Sequence, residues 1–271
     1  MGNKILGGDD VSRLSSAIQA ALFGVNKAGL AIVFYHTDAD DSAFKAVRSG
    51  VAPEYAKLIA ASNAAARKAH PEAAIINLTD RGCNLFASTP GTTIRLPVDP
   101  NWVGYERCRA WYAFCQVWRG KILFLDTDMF IRTRLDDLFT RDFDFALTWR
   151  PPSAPAFQNM PINGGMFIVN DPQKAADFMR SEIWACGIAA QAQNDESKLS
   201  AFAEQQGLAV LTNFRGPGVY QTWWGKLEIL LCAMCNSDYN GKDNHNPKAL
   251  IWHLKGGLKK YLVEIMEALG L

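Results

Sequence analysis

Ile122-Leu123-Phe124-Leu125-Asp126-Thr127-Asp128-Met129 is the stretch that decides the fold, because four apolar residues run straight into two carboxylates one residue apart. A continuous apolar run of this length suits a strand buried on both faces, the habit of parallel sheets. Such sheets bind ligands just beyond the carboxyl ends of their strands, so Asp126 and Asp128 stand where chemistry takes place. Two hard oxygen donors at that edge suit Mg²⁺ or Mn²⁺, which take few carboxylates and complete their shell with water and substrate phosphates. A lone Asp-x-Asp serves equally well to close the loop after a strand, so the surrounding chain has to decide.

On either side of that strand the pattern alternates between strands and helices, with no internal repeat and no low-complexity stretch. An amphipathic segment near Val11 to Phe23 precedes a first strand at Leu30 to Tyr35, an Ala-rich helix at Glu54 to Ala69, and a strand at Ala73 to Leu78. This is the βαβ rhythm of a parallel sheet. A helix from about Tyr105 to Trp118 stops at Gly120 and delivers the chain to the Asp126 strand. Phe143 to Trp149 alternates and ends at Pro151-Pro152, and Ile162 to Asn170 is a glycine-hinged entry into another buried strand. Helices at Pro172 to Ala190 and Asp195 to Gln206, strands at Leu208 to Leu211 and Leu250 to His253, and a tail helix at Leu258 to Leu269 complete the expected elements.

Composition narrows the class. The chain has 271 residues, 49% hydrophobic and 20% charged, which is enough for a sizeable core. Its net charge is +1 with no long basic block, so no nucleic-acid partner is expected. It contains no transmembrane-length apolar run and no signal-peptide pattern, and Met1-Gly2-Asn3-Lys4-Ile5-Leu6 has Leu where a myristoylation signal needs Ser or Thr. A cytoplasmic protein is the expectation. The six cysteines, Cys83, Cys108, Cys115, Cys186, Cys232 and Cys235, are scattered through apolar surroundings, and the single Cys232-x-x-Cys235 pair reads as packing rather than as a zinc site.

Three separated motifs resemble the glycogenin-like retaining glycosyltransferases, glycosyltransferase family eight. They are Asp126-Thr127-Asp128 followed by Leu135-Asp136-Asp137-Leu138-Phe139; Ile162-Asn163-Gly164-Gly165-Met166-Phe167-Ile168-Val169-Asn170; and His253-Leu254-Lys255-Gly256-Gly257-Leu258-Lys259-Lys260-Tyr261. The last is similar to the family's H-x-x-G-x-x-K-P-W, with Lys260 and Tyr261 in place of Pro and Trp. The resemblance implies an α/β protein of the GT-A type, the nucleotide-diphospho-sugar transferase fold, with a mainly parallel central sheet flanked by helices. It implies one domain over residues 1–271, with a nucleotide-binding half at about 28–150 and a half for sugar, acceptor and the C-terminal motif at about 151–271.

The same resemblance assigns roles. Asp126, Asp128 and His253 would hold Mn²⁺ or Mg²⁺, and a UDP-sugar would be the donor. Gly256 and Lys259 would approach the diphosphate, since glycine admits close backbone contact and lysine supplies a charge. Arg109, seventeen positions before Asp126, would contact donor phosphate or sugar, with Arg107 as the alternative. Asn163 and Gly164 would cradle the transferred sugar; Asp195, with Glu196 beside it where the family has Gln, would meet sugar hydroxyls. His36, Thr37, Asp38 and Thr127 would line the nucleoside and diphosphate cleft. His70 and His245 read as loop or surface residues. Trp223 and Trp224, with Tyr220, offer a sugar platform or, more simply, core packing.

The expected activity is thus metal-dependent transfer of a hexose to the hydroxyl of an unidentified glycan, lipid, protein or small-molecule acceptor, with retention of configuration. Two alternatives stay open: a sugar-phosphate nucleotidyltransferase, disfavoured because Tyr35-His36-Thr37-Asp38 is not a Gly-rich basic loop, and a noncatalytic nucleotide-sugar-binding protein of the same fold.

Overall fold

The computed structural model describes residues 8–37, 52–100, 103–150, 162–180 and 216–271. Eight strands form the main sheet: β1 (Ala31–His36), β2 (Ala74–Asp80), β3 (Thr92–Leu96), β4 (Ile122–Asp126), β6 (Phe145–Trp149), β7 (Ile162–Val169), β8 (Gly218–Gln221) and β9 (Lys226–Leu231). Their order is β3-β2-β1-β4-β7-β6-β9-β8. The strands from β3 to β4 are parallel, β7 runs against both β4 and β6, and β6 is parallel to β9. One sheet therefore runs through both halves of the chain.

The expected β4 strand is the middle of this sheet, and its side chains show why it is apolar throughout. Ile122 and Phe124 face a core built with Leu14, Ile18, Trp111, Phe114 and Phe167, beneath the helices Gly8–Ala21 and Val103–Val117. Leu123 and Leu125 face the opposite core, with Ile32, Phe34, Ala66, Met129 and Ile168. Alternation along a strand sends neighbours to opposite faces, and here both faces are covered. Each of the fully buried Leu, Ile, Phe and Met side chains among these contributes about 1.5–3 kcal/mol by leaving water. Beyond the helix Val103–Val117, Gly120 packs on backbone: a Cβ there would lie 2.1 Å from the Gly29 carbonyl oxygen.

Beyond β4 the chain changes sheets. β5 (Met129–Ile131) leaves the main sheet and joins a three-stranded one in the order β10-β11-β5, where β10 is Ser237–Asp238 and β11 is Ile251–His253. β11 runs antiparallel to β5 and pairs His253 with Met129, and the Leu254 amide donates to the Asp128 carbonyl at 2.9 Å. Asp126-Thr127-Asp128 is thus the seam between two sheets, with the end of β11 laid beside it.

Several expectations are refined. β3, β5, β8, β9 and β10 come in addition to the strands anticipated, and the tail begins as the 3₁₀ turn Gly256–Tyr261 before the helix Leu262–Leu269. The helix beginning at residue 172 is described to residue 180, and the expected helix at 195–206 and strand at 208–211 lie outside the described residues. No helix among the described residues is long and apolar enough to cross a membrane. Cys83, Cys108, Cys115, Cys232 and Cys235 are buried thiols, and burial pushes the Cys235 thiol up to about 12. Cys186 lies outside the described residues.

Candidate active site

The carboxyl ends of β1, β4 and β6 and the start of the antiparallel β7 share one edge, and most of the expected residues gather there. Asp126 ends β4, with its side chain 30% exposed; Asp128 follows the turn at 13%, and Thr127 between them is buried. His253 arrives from β11. One ligand atom from each of Asp126, Asp128 and His253 can be chosen so that all three lie within 4.8 Å of one another, a grouping able to hold a metal ion.

The donor set fits a hard divalent cation in its geometry as well as its chemistry. His253 Nε2 lies 2.9 Å from Asp128 Oδ1. Neighbouring ligands of an octahedral ion with bonds of about 2.1 Å stand about 3.0 Å apart, so these two atoms already have the spacing of a coordination edge. Space is kept beside them by Gly165. A Cβ at that position would lie 2.9 Å from Asp126 Oδ2, 3.2 Å from Asn163 Oδ1 and 3.3 Å from His253 Cε1. Any side chain at 165 would therefore crowd two of the three candidate ligands at once.

Cations surround the acids. Arg107 Nη1 donates to Asp126 Oδ1 at 2.6 Å, while its guanidinium lies 4.9 Å from the centre of the Trp111 ring. Lys259 Nζ donates to Asp128 Oδ2 at 2.7 Å and to the Leu254 carbonyl at 3.2 Å. Burial by itself would raise the Asp128 pKa; the charges and hydrogen bonds of His253 and Lys259 outweigh it and hold the carboxyl well below the usual carboxylate range. Lys260, by contrast, lies over the Tyr261 ring at 4.9 Å.

Arg107 rather than Arg109 makes the contact with Asp126. Arg109 Nη1 lies 2.9 Å from both carboxylate oxygens of Glu106. Two residues along a helix are about 200° apart, so 107 and 109 project from different faces, a distinction that spacing from Asp126 does not make. Burial raises the Glu106 pKa, an effect its partner Arg109 opposes.

Asn163 and Gly164 lie at the start of β7, both buried. Asn163 Oδ1 accepts from the Gly165 amide at 3.0 Å, whereas its Nδ2 is buried without a hydrogen-bond partner among the described residues. His36, at the end of β1, is buried against Tyr55, with ring centroids 5.0 Å apart, and Thr37 beside it donates to the Pro100 carbonyl at 3.3 Å. Gly256 opens the 3₁₀ turn that carries Lys259. Asp38, Asp195 and Glu196 lie outside the described residues.

Other histidine and aromatic expectations change. His70 is fully buried, where its Nε2 accepts the Leu135 amide at 3.1 Å, and His245 is half-buried and stacked on Tyr239 at 5.0 Å. Both lie outside helix and strand, as expected of loop residues; His70 is nevertheless away from the surface because it accepts an amide from a distant segment. Trp224 packs on Phe178 at 5.4 Å while Trp223 is exposed, so the two do not form one platform. Residues that sequence reasoning missed are Gly165, Thr148, Asn236 and Arg150. Asn236 directly follows Cys235 and bonds His253; Arg150, whose guanidinium pKa is lowered by desolvation, donates to the Ile162 carbonyl at 2.7 Å. Gly165 carried a signal, as the second glycine before an apolar strand; the other three did not.

No family model and no curated protein matches the chain. Solved structures do. A galactosyltransferase, LgtC, in complex with donor and acceptor sugar analogs, is matched with a TM-score of 0.50 at 14% identity, over 89% of this chain and 96% of that one. An active-site mutant of LgtC gives 0.50 and 14%, over 88% and 95%. The glycosyltransferase GlyE of Streptococcus pneumoniae TIGR4 gives 0.49 and 14%, over 82% of this chain and 54% of that one. The chain is an α/β protein with the GT-A glycosyltransferase fold.

Proposed function

We propose that the chain is a metal-dependent glycosyltransferase that transfers a hexose from a nucleotide diphosphate sugar, UDP-linked, to a hydroxyl acceptor, with retention of configuration as in the family it resembles. The observation that carries this reading is the meeting of Asp126, Asp128 and His253 at the sheet edge, with Gly165 leaving room beside them. The fold shared with LgtC, a galactosyltransferase crystallised with donor and acceptor sugar analogs, supports the same class of substrate.

In this reading Asp126, Asp128 and His253 hold Mn²⁺ or Mg²⁺, which offsets the negative charge that gathers on a departing diphosphate. The chain supplies the rest. Lys259 and Arg107, now bonded to the two aspartates, are the cations within reach of that diphosphate, and both sit where water is largely excluded, which strengthens their field. Asn163 Nδ2 presents a donor to a sugar hydroxyl. His36 and Thr37 close the nucleoside side of the cleft, and Asp38, Asp195 and Glu196 retain their proposed roles toward nucleoside and sugar. Turnover tests the whole: with Mn²⁺ and a panel of nucleotide sugars, release of nucleoside diphosphate is expected from a UDP-sugar. No release from any donor, with Mn²⁺ or Mg²⁺, would contradict the proposal.

A further inference from the structure

A buried chain of hydrogen bonds leads from His253 to the strand that carries Asn163. His253 Nδ1 lies 2.7 Å from Asn236 Oδ1, Asn236 Nδ2 lies 3.2 Å from Thr148 Oγ1, and Thr148 Oγ1 lies 3.1 Å from the Asn163 carbonyl oxygen. All four residues are buried. They come from β11, from the residue after the short helix Cys232–Cys235, from β6 and from β7, so no local turn accounts for their meeting.

The far end of this chain fixes the direction of every bond in it. A carbonyl oxygen only accepts, so the single proton of the Thr148 hydroxyl goes to Asn163. That hydroxyl must then accept from Asn236, which turns the amide nitrogen of Asn236 toward Thr148 and its oxygen toward His253. An amide oxygen only accepts, so the proton facing it sits on His253 Nδ1. Nε2 faces the Asp128 carboxylate, which also only accepts, so without a metal that nitrogen shares a proton with Asp128, and a metal ion taking its lone pair would displace that proton while Nδ1–H stays on Asn236.

We infer that Asn236 and Thr148 are positioning residues that hold His253 by its Nδ1–H, so that Nε2 is the nitrogen turned toward the metal. The inference rests on the metal reading of this site and deepens it. A ligating histidine commonly donates its other N–H to a carboxylate or a backbone carbonyl, which fixes the ring. Here an amide takes that place, and the amide is itself locked through a hydroxyl onto the backbone of Asn163. The metal ligand and the residue proposed to meet the sugar are thereby held in one register.

Nitrogen-15 histidine spectra of the protein with excess Mg²⁺, a diamagnetic ion, at about pH 9 read which ring nitrogen keeps its proton once the metal displaces the other. The His253 signal is assigned by its loss in His253→Gln. Nδ1–H is expected to dominate, and a dominant Nε2–H signal in the unmodified protein would overturn the inference without recourse to any variant. Asn236→Leu is expected to lose the Nδ1–H preference and to weaken Mn²⁺ binding, followed by the electron paramagnetic resonance of the free ion, by about ten- to hundredfold. Asn236→Asp, which still accepts from Nδ1–H, should restore the tautomer, and Thr148→Val should weaken the preference less than Asn236→Leu does. A folded Asn236→Leu protein with unchanged tautomer and Mn²⁺ affinity would also overturn the inference. An unmodified protein with the Nδ1–H signature but no Mn²⁺ binding would contradict the metal reading and leave the tautomer assignment standing.

Discussion

Two clusters among the described residues contain one histidine and two carboxylates with ligand atoms within 4.8 Å, yet they are built for different chemistry. In Asp126, Asp128 and His253 the histidine and Asp128 are buried, and Nε2 faces the Asp128 carboxylate. In His70, Glu72 and Asp136 the histidine is buried but both acids are about half exposed, and Arg134 bonds to both of them. His70 Nε2 is already spent on the Leu135 amide, which leaves the protonated Nδ1 facing Glu72 at 3.5 Å. With Nε2 accepting a backbone amide, loss of the Nδ1 proton would leave an anionic ring, so His70 is no ligand, and a guanidinium already sits between the acids. The same three residue types therefore give a candidate metal centre in one place and a surface ion-pair network in the other. Which nitrogen of the ring the fold engages decides between them.

The largest effect that separates the clusters is on turnover. Asp126→Ala or Asp128→Ala should lower nucleoside diphosphate release by more than about hundredfold, since loss of a ligand costs more than the ten- to hundredfold of a supporting residue. Glu72→Gln and Asp136→Asn should leave it unchanged, and comparable losses in both pairs would erase the distinction.

Next in size is Gly165→Ala. The added Cβ meets Asp126 Oδ2 and the His253 ring at distances that something must yield to, so Mn²⁺ affinity should fall by about tenfold or more while the circular dichroism spectrum stays native. Wild-type affinity would show that the space beside the acids is not used.

Lys259→Ala should lower the rates of sugar transfer and of donor hydrolysis together, because its charge is worth most as the glycosidic bond breaks. Its pairing with buried Asp128 adds a structural effect: the metal-free protein should lose about 1–3 kcal/mol, the range for a charged hydrogen bond, measurable by urea unfolding. Lys260→Ala, at a residue stacked over Tyr261, is the control that should keep full activity. The opposite ranking would shift the alignment of this motif.

The smallest effect belongs to the other cluster. Burial lowers the His70 pKa, so below the usual histidine range the unfolded chain takes up a proton that the folded one refuses. Stability present above about pH 6.5 should therefore be lost as pH falls toward the depressed folded value. His70→Gln, which keeps an acceptor for the Leu135 amide, should flatten that decline between about pH 7 and pH 5. An unchanged slope would mean that His70 is not its source.

Much of the fold was legible because β4 declares itself: a run apolar on both faces, closed by acids, needs covered faces and a sheet edge. The convergence of Asp126 with Asp128 was legible too, since two residues one apart share one strand end. The partnership of His253 with them came only through resemblance, because it depends on β5 leaving the main sheet to pair with β11, and nothing in Met129-Phe130-Ile131 announces that. Arg107 and Arg109 were indistinguishable without the helix's rotation relative to β4. Asn236 and Thr148 were invisible because their roles exist only as bonds between distant strands, and an isolated Asn after Cys235 reads as a turn residue.

Calorimetry of UDP binding tests the central claim most directly. With Mn²⁺ present, the unmodified protein and Glu72→Gln should bind UDP with similar affinity, chelation of the ion should weaken both by at least tenfold, and Asp128→Ala should show no gain from Mn²⁺ at all. Equal, Mn²⁺-dependent UDP binding by Asp128→Ala and by the unmodified protein would contradict the account.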